Sequence, residues 1–358
     1  MNNLMKRLSS LQNYLTYLMV IVTFLVMQAL LGAGQVNSVL KGQLVPICAY
    51  IVMAISLNLT VGILGELSLG HAGFMSVGAF SGVIAAVALE PLVASGPLRL
   101  TLAMVVAAAC AAVAGVLVGI PVLRLAGDYL AIVTLAFGEI IKNLITSFYA
   151  GVDQRGLHFQ FLGSAADLEL EQGGRVIVNG AMGIAGVPRL SSFTAGFVLI
   201  LVALFVVLNL VHSRAGRAIM ALRDNRIAAE SVGIPVTKYK LMAFVTSAAL
   251  AGAAGALYAM NYSTIVATKF NYNTSILILV FVVLGGLGRM WGSIIAATVL
   301  TILPELLREF QDYRMLVYAI VLILVMLATN NPTVKDLPRV LWSRLSAFAK
   351  KKKGGATP

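Results

Sequence analysis

Apolar runs long enough to cross a bilayer follow one another almost end to end along this chain, and little but a membrane bundle can accommodate them. A spanning helix needs about 20 predominantly apolar residues. Ten stretches come near that mark: 14–32, 44–62, 70–89, 98–120, 129–149, 193–212, 241–261, 275–288, 291–307 and 313–330. Only 11% of the 358 residues are charged, against about 25% in soluble domains. A soluble domain with a large core would not string such runs together. The expected fold is therefore an all-α polytopic transmembrane bundle of about 8–10 spans.

The net charge of +12 could suit nucleic acid, but its distribution is that of a topology signal. With both termini cytosolic, Lys6, Arg7, Arg124, the six basic residues of 213–240, Arg289 and the basic residues after 330 lie inside. Far fewer lie outside, among them Lys41, Arg99, Arg155, Arg175, Arg189 and Lys269. The positive-inside rule favours that orientation and an even number of crossings, and no nucleic-acid partner is expected. Lys6 and Arg7 before an apolar run could suggest a signal peptide, but the run from Tyr14 to Leu31 is too long and no clear A-x-A site follows. It reads as a retained helix. The two cysteines, Cys48 and Cys110, sit inside apolar runs and form no metal or disulfide pattern, so packing is their expected role.

Between two apolar runs lies a polar, basic island, Ser213 to Lys240. Asp224 is a candidate N-cap, Asn225 to Val232 a short helix about 12 Å long, and Gly233 with Pro235 a stop. Ala228 and Ala229 would keep the surface of that helix shallow, so that it seats in a groove of a soluble partner. The alternative is a solvated loop whose arginines only set topology.

Two segments are punctuated by glycine: 62–82, with glycines at 62, 65, 70, 73, 78 and 82, and 285–292. Unwound backbone is tolerated at depth only where it lines a cavity or is buried in protein, so such segments can mark a path; glycine also serves plain packing. Residues 275–288 are either a half-helix or a short crossing with a tight turn, and the second is preferred. Few ionisable groups fall inside spans. His71 opens the third, near an interface, where a hydrogen-bonded structural role is expected. Glu139 and Lys142 share one face of the fifth, either as a neutralising pair or as a polar lining. Candidate path residues are Asn58, Ser68, Gly70, His71 and Gly73. The segment from Ala150 to Ser192 is a long outer loop with turn residues and a strand-like Arg175-Val176-Ile177-Val178, suited to an ordered cap. Residues 1–335 read as one permease domain, and 336–358 as a basic cytosolic tail whose Lys350 to Lys353 would touch anionic lipid.

No G-x-x-x-x-G-K-[ST], H-E-x-x-H or G-x-S-x-G occurs, and His71, His158 and His212 are scattered. No cofactor, metal or catalytic residue is expected. Without a ladder of buried carboxylates, uphill transport would draw its energy from a partner. The competing reading, an ion-coupled carrier working alone, would need Glu139.

Several motifs in order resemble the permease subunits of branched-chain amino acid ABC transporters, of the LivM/LivH type and closest to LivM. They are Leu57-Asn58-Leu59-Thr60-Val61-Gly62, Leu69-Gly70-His71-Ala72-Gly73-Phe74, Asp128 through Leu135, Arg223-Asp224-Asn225, Ala228-Ala229-Glu230-Ser231-Val232-Gly233, Leu284 through Gly288, and Leu303-Pro304-Glu305. The resemblance covers about 45–330. It implies the membrane half of a prokaryotic plasma-membrane importer. Its partners would be a second, LivH-like permease, two ATP-binding cassette ATPases and an extracytoplasmic solute-binding protein. It makes the helix in 213–240 a coupling helix, with Arg217, Ala221, Arg223, Asp224, Asn225, Ala228, Ala229, Glu230 and Gly233 toward the ATPase. The chain departs from the pattern before Gly183-Ile184, where Arg175 to Val178 intrudes, and at Ala267-Thr268-Lys269, where a proline is usual. Relatives import urea or short amides on the same scaffold.

Overall fold

The computed structural model describes residues 2–307, apart from 35–36, 126, 154–155, 169 and 171–173, and scattered positions between 313 and 323. The chain divides into two compact units, Met1–Val299 and Leu300–Pro358. The expected span 313–330 and the tail lie largely outside the described residues.

Among the described residues, eight helices are long and apolar enough to cross a membrane, and a further apolar helix, Met290–Leu306, is shorter. In chain order the helices are α1 (Asn2–Gly32), α2 (Ser38–Asn58), α3 (His71–Ala88), α4 (Gly96–Val122), α5 (Asp128–Thr146), α6 (Phe193–His212), α7 (Arg214–Asp224), α8 (Arg226–Ser231), α9 (Val236–Ala259), α10 (Tyr272–Gly285) and α11 (Met290–Leu306). A π-helix, Leu59–Leu64, continues α2. This is a multi-pass membrane protein, and α10 with the Gly286–Arg289 turn is the short crossing that the glycines suggested.

The bundle is not purely helical. Strands β1 (Phe148–Asp153), β2 (Gly156–Phe161), β3 (Arg175–Asn179), β4 (Ile184–Ala185) and β5 (Thr264–Ile265) make one sheet in the order β2-β1-β3-β4-β5. β1 pairs antiparallel with β2, Phe148 opposite Phe161, and Ile184 of β4 pairs with Ile265. The all-α expectation is corrected here: the described part of the long loop carries four of the five strands, and the strand-like Arg175 to Val178 lies in the third. Because α6 leaves the sheet and ends at α7, while α9 starts after α8 and ends at β5, the sheet and the basic hairpin occupy opposite ends of the bundle.

The core is where backbones nearly touch. Lipid tails give helices no hydrophobic reason to associate, so close approach of small residues supplies dispersion contacts instead. α2, α3 and α9 are the most enclosed spans. A methyl group at Gly78 of α3 would collide with the Gly252 backbone of α9, and one at Gly255 with the Met75 carbonyl. On the far side of α9, a Cβ at Gly252 would lie 2.6 Å from the Ala107 carbonyl oxygen of α4. Cys48 is buried and sits against Gly196, as a packing role requires, whereas Cys110 is exposed on α4. α1 is the least enclosed span, held to α6 by Phe24 stacked 3.9 Å from Phe197.

Because neither backbone can give way, Gly252→Val is expected to lower stability by at least about 1–3 kcal/mol. Its apparent melting temperature in detergent should drop clearly, while Gly42→Ala, with nothing within 4 Å of the added methyl, should leave it unchanged.

Candidate functional site

The third span does not start at the end of the bundle. α2 and its π-helix run on to Leu64, where Gly65 (φ +80°) ends the helix and its N–H returns to the Thr60 carbonyl. The chain then doubles back. Glu66 and Leu67 are near the surface, but Ser68, Gly70 and His71 are buried, and His71 Nε2 lies 2.7 Å from Ser56 Oγ. Ser56 is eight residues before Leu64, so α3 begins about 10 Å inside the bundle at helical rise. His71 is thus deep in the protein and not near an interface, a correction forced by the re-entrant path of 65–70.

Broken backbone inside a bilayer must find internal partners. Here side chains of two other helices supply them, and a third and fourth hold the surroundings. Thr134 Oγ1 on α5 accepts from Leu69 N at 3.0 Å, and Ser275 Oγ on α10 accepts from Ala72 N at 3.0 Å. Ser56 donates its own proton to the Met53 carbonyl (2.9 Å), which leaves His71 Nε2–H as the donor to Ser56. Ser247 on α9 donates to the Ser56 carbonyl at 2.5 Å. Gly70 and Gly73 press on Thr134 and Gly138 so closely that a side chain on either would collide with α5. Ser68 Oγ is buried with no hydrogen-bond partner among the described residues.

The second glycine-rich segment meets the first. Gly286 (φ +92°) and Gly288 (φ +79°) turn α10 into α11. Gly288 N donates to Asn58 Oδ1 at 2.8 Å, and Asn58 Nδ2 donates to Ser293 Oγ at 2.9 Å. Gly62 packs directly on Gly288. Asn58, fully buried, is therefore the clasp between the two unwound stretches. Asn58, Ser68, Gly70, His71 and Gly73, the expected path residues, are all enclosed within this chain. They back a wall; they do not line an open surface in this conformation.

A charged pair that does reach a surface lies on α5. Lys142 forms an ion pair with Glu139, and the two side chains are 19% and 28% exposed. Glu139 Oε1 also accepts from Tyr272 N, the first residue of α10, at 3.2 Å. The pair is neutralising, and it is also accessible. A charged pair is costly against lipid unless protein or water covers it, and this one lies toward the sheet end of α5, where Glu139 meets the first residue of α10.

At the opposite end from the sheet stands the basic hairpin, which has two helices where one was expected. Ser213 Oγ caps α7 by accepting from Gly216 N at 3.1 Å. Asn225, not Asp224, caps α8: its Oδ1 accepts from Ala228 N at 3.0 Å. Asp224 instead closes α7 and takes Arg223 at 3.0 and 3.1 Å. Gly233 (φ +83°) stops α8, with Ile234 N returning to the Ala229 carbonyl at 3.1 Å. Arg226 and Glu230 pair along α8 at 3.0 Å, and Arg217 donates to the His212 carbonyl at 3.4 Å. Ala221 is half-buried.

One expected contact residue faces the wrong way. Ala229 is 4% exposed and packs inward, whereas Ile227 is 80% and Val232 76% exposed. The outward surface of α8 is thus made by Ile227, Ala228 and Val232. Two further contacts had no local signature. Arg223 Nη1 donates to the Gly62 carbonyl at 3.2 Å, and Lys240, at the start of α9, pairs with Glu66. The serines and threonine that satisfy 65–72 were equally silent, because in isolation each is an ordinary hydroxyl in an apolar run.

Residues 39–326 match the family described as branched-chain amino acid transport system / permease component, and the chain belongs to that family. It is 37% identical over 288 residues to the high-affinity branched-chain amino acid transport system permease protein LivM of Salmonella typhimurium, and 36% identical over 287 residues to that of Escherichia coli. Both alignments cover 78% of this chain and 66% of the relative's own length. The fructose import permease protein FruG of Bifidobacterium longum is 32% identical over 34% of this chain and 39% of its own. No solved structure matches the chain.

Removing the clasp should be costly. Asn58→Ala removes the bonds that its fully buried side chain makes to Gly288 N and Ser293 Oγ and leaves a void in their place, so a loss of about 1–3 kcal/mol is expected. Thermal unfolding in detergent would read it, with Gly42→Ala again as the control that should not move.

Proposed function

We propose that this chain is the membrane-spanning permease subunit of an ATP-driven importer of branched-chain amino acids, worked by separate ATPase subunits through the α7–α8 hairpin. In this reading the hairpin and both termini face the cytosol of a prokaryotic cell and the sheet faces outward. A second, LivH-like permease covers the α5–α10 face. Two ATP-binding cassette subunits grip α8, and a solute-binding protein delivers the cargo to the sheet side.

The observation that carries the reading is the outer surface of α8. Two branched aliphatic residues, Ile227 on the six-residue α8 and Val232 at its C-cap, stand largely exposed beside Arg223, Arg226 and Lys238. A helix so short gains little stability of its own, yet it is capped at both ends and held rigid. Exposed apolar side chains on a rigid, basic element suit a groove on a soluble partner. The orientation draws support from the concentration of arginine and lysine at this end. The cargo class rests on the names of the LivM relatives. The path is assigned to the α5–α10 face, where Glu139 and Lys142 remain accessible, with the seam around Asn58, Ser68, Gly70, His71 and Gly73 as its movable backing.

Val232→Asp and Ile227→Asp should each cut recovery of the ATPase with the solubilised permease about tenfold, with membrane insertion intact; undiminished co-purification would refute the coupling role. Val232→Cys in a Cys110→Ala background should resist an impermeant thiol reagent in intact cells and react in inverted vesicles. Labelling from outside would overturn the orientation.

A further inference from the structure

Both residues that flank α8 hold the same short stretch of the unwound segment. Arg223, two residues before the α8 cap, donates to the Gly62 carbonyl and lays its methylenes over Gly65. Lys240, in the first turns of α9 and only nine residues beyond Ser231, reaches Glu66. Its side chain is 5% exposed and that of Glu66 is 16% exposed. A cation near a helix N-terminus opposes the helix dipole, so Lys240 does nothing for the start of α9 by itself. What it does is tie that start to residue 66. Five residues beyond Glu66 lies His71, and four before it lies Gly62, which rests on Gly288.

We propose that Arg223 and the Glu66–Lys240 ion pair are positioning contacts that deliver a displacement of α8 to the re-entrant segment 65–71, so that hairpin and seam move as one. The inference rests on the coupling role proposed above for α8. Only the four residues 232–235 separate α8 from α9, so a shift of α8 acts on the start of α9 and on Lys240 with it. A push on α8 therefore acts on Gly62 through Arg223 and on Glu66 through Lys240. The π-helix between Leu59 and Leu64 supplies the compliance: it holds one more residue per turn than an α-helix, and a one-residue change of register there re-aims all that follows. Because the pair is withdrawn from solvent, removing one charge leaves the other without compensation, whereas exchanging the two preserves the bond.

The test uses the complete complex, permeases with ATPases, reconstituted in proteoliposomes with its binding protein and radiolabelled leucine. The readout is leucine imported per ATP hydrolysed. Glu66→Gln and Lys240→Gln should each lower that ratio about tenfold, within the usual range of coupling between sites, while the ATPase still co-purifies and hydrolyses ATP. Glu66→Lys combined with Lys240→Glu should recover most of the ratio, which a merely structural contact would not predict for variants already assembled. An unchanged ratio in the single variants overturns the inference. So does an exchanged pair that assembles but stays uncoupled, or one that fails to accumulate, since the pair would then hold the fold and not the motion. A wild-type complex with no ATP-dependent uptake would instead refute the proposed function itself.

Discussion

A hydrocarbon layer offers no water to a broken helix, and the centre of this protein is organised around that constraint. The chain unwinds at 65–70 and again at 286–289, and in both places side chains of neighbouring helices take up backbone donors. Asn58, Thr134 and Ser275 do so from three different helices. Each is a single polar side chain placed opposite a single exposed amide. The glycines allow the fit, since at Gly62, Gly70 and Gly73 any side chain would hold the segments apart. The seam is thus both unwound and tightly enclosed, a combination that lets a segment hold two positions without exposing its amides to lipid.

The two ends of the bundle are built for different neighbours. One carries a five-stranded sheet assembled from the long segment between α5 and α6 and from two residues after α9. The other carries α7 and α8, rigid by virtue of their Ser213 and Asn225 caps. Toward the sheet end, α5 presents Glu139 and Lys142, a pair that lipid would penalise unless protein or water covers it. These three surfaces differ in chemistry: a sheet, a basic hairpin and a face with an accessible ion pair.

How far this could be read beforehand depended on the range of the interactions involved. The spans were legible because hydropathy is a property of consecutive residues. So was the stop at Gly233, since a left-handed residue followed by proline is a local event. The N-cap was placed one residue early because Asp224 and Asn225 are both competent caps; which one serves depends on where α7 ends, and α7 was not foreseen. Ala229 was assigned outward from its size alone, but a small residue fits equally well against the body of the protein, where it lies. The sheet was glimpsed only at Arg175 to Val178. β2 alternates Leu157, Phe159 and Phe161 with more polar neighbours, the period of a strand, yet its pairing partner is named only by the fold. His71 looked interfacial because a reader of sequence takes the start of an apolar run for the edge of the membrane.

By itself, then, the order of residues determined that this chain lives in a bilayer, how many times it can cross, and which element stands out as basic and rigid, because apolar runs, charge bias and helix stops act over a few residues. Tertiary structure alone decided that α3 begins deep inside, that Asn58 clasps Gly288, and that Lys240 reaches Glu66 across 174 positions of sequence. Those contacts join residues with no local trace of one another. They exist only because the packed helices bring each hydroxyl, amide and charge to the one partner that the absence of water obliges it to have.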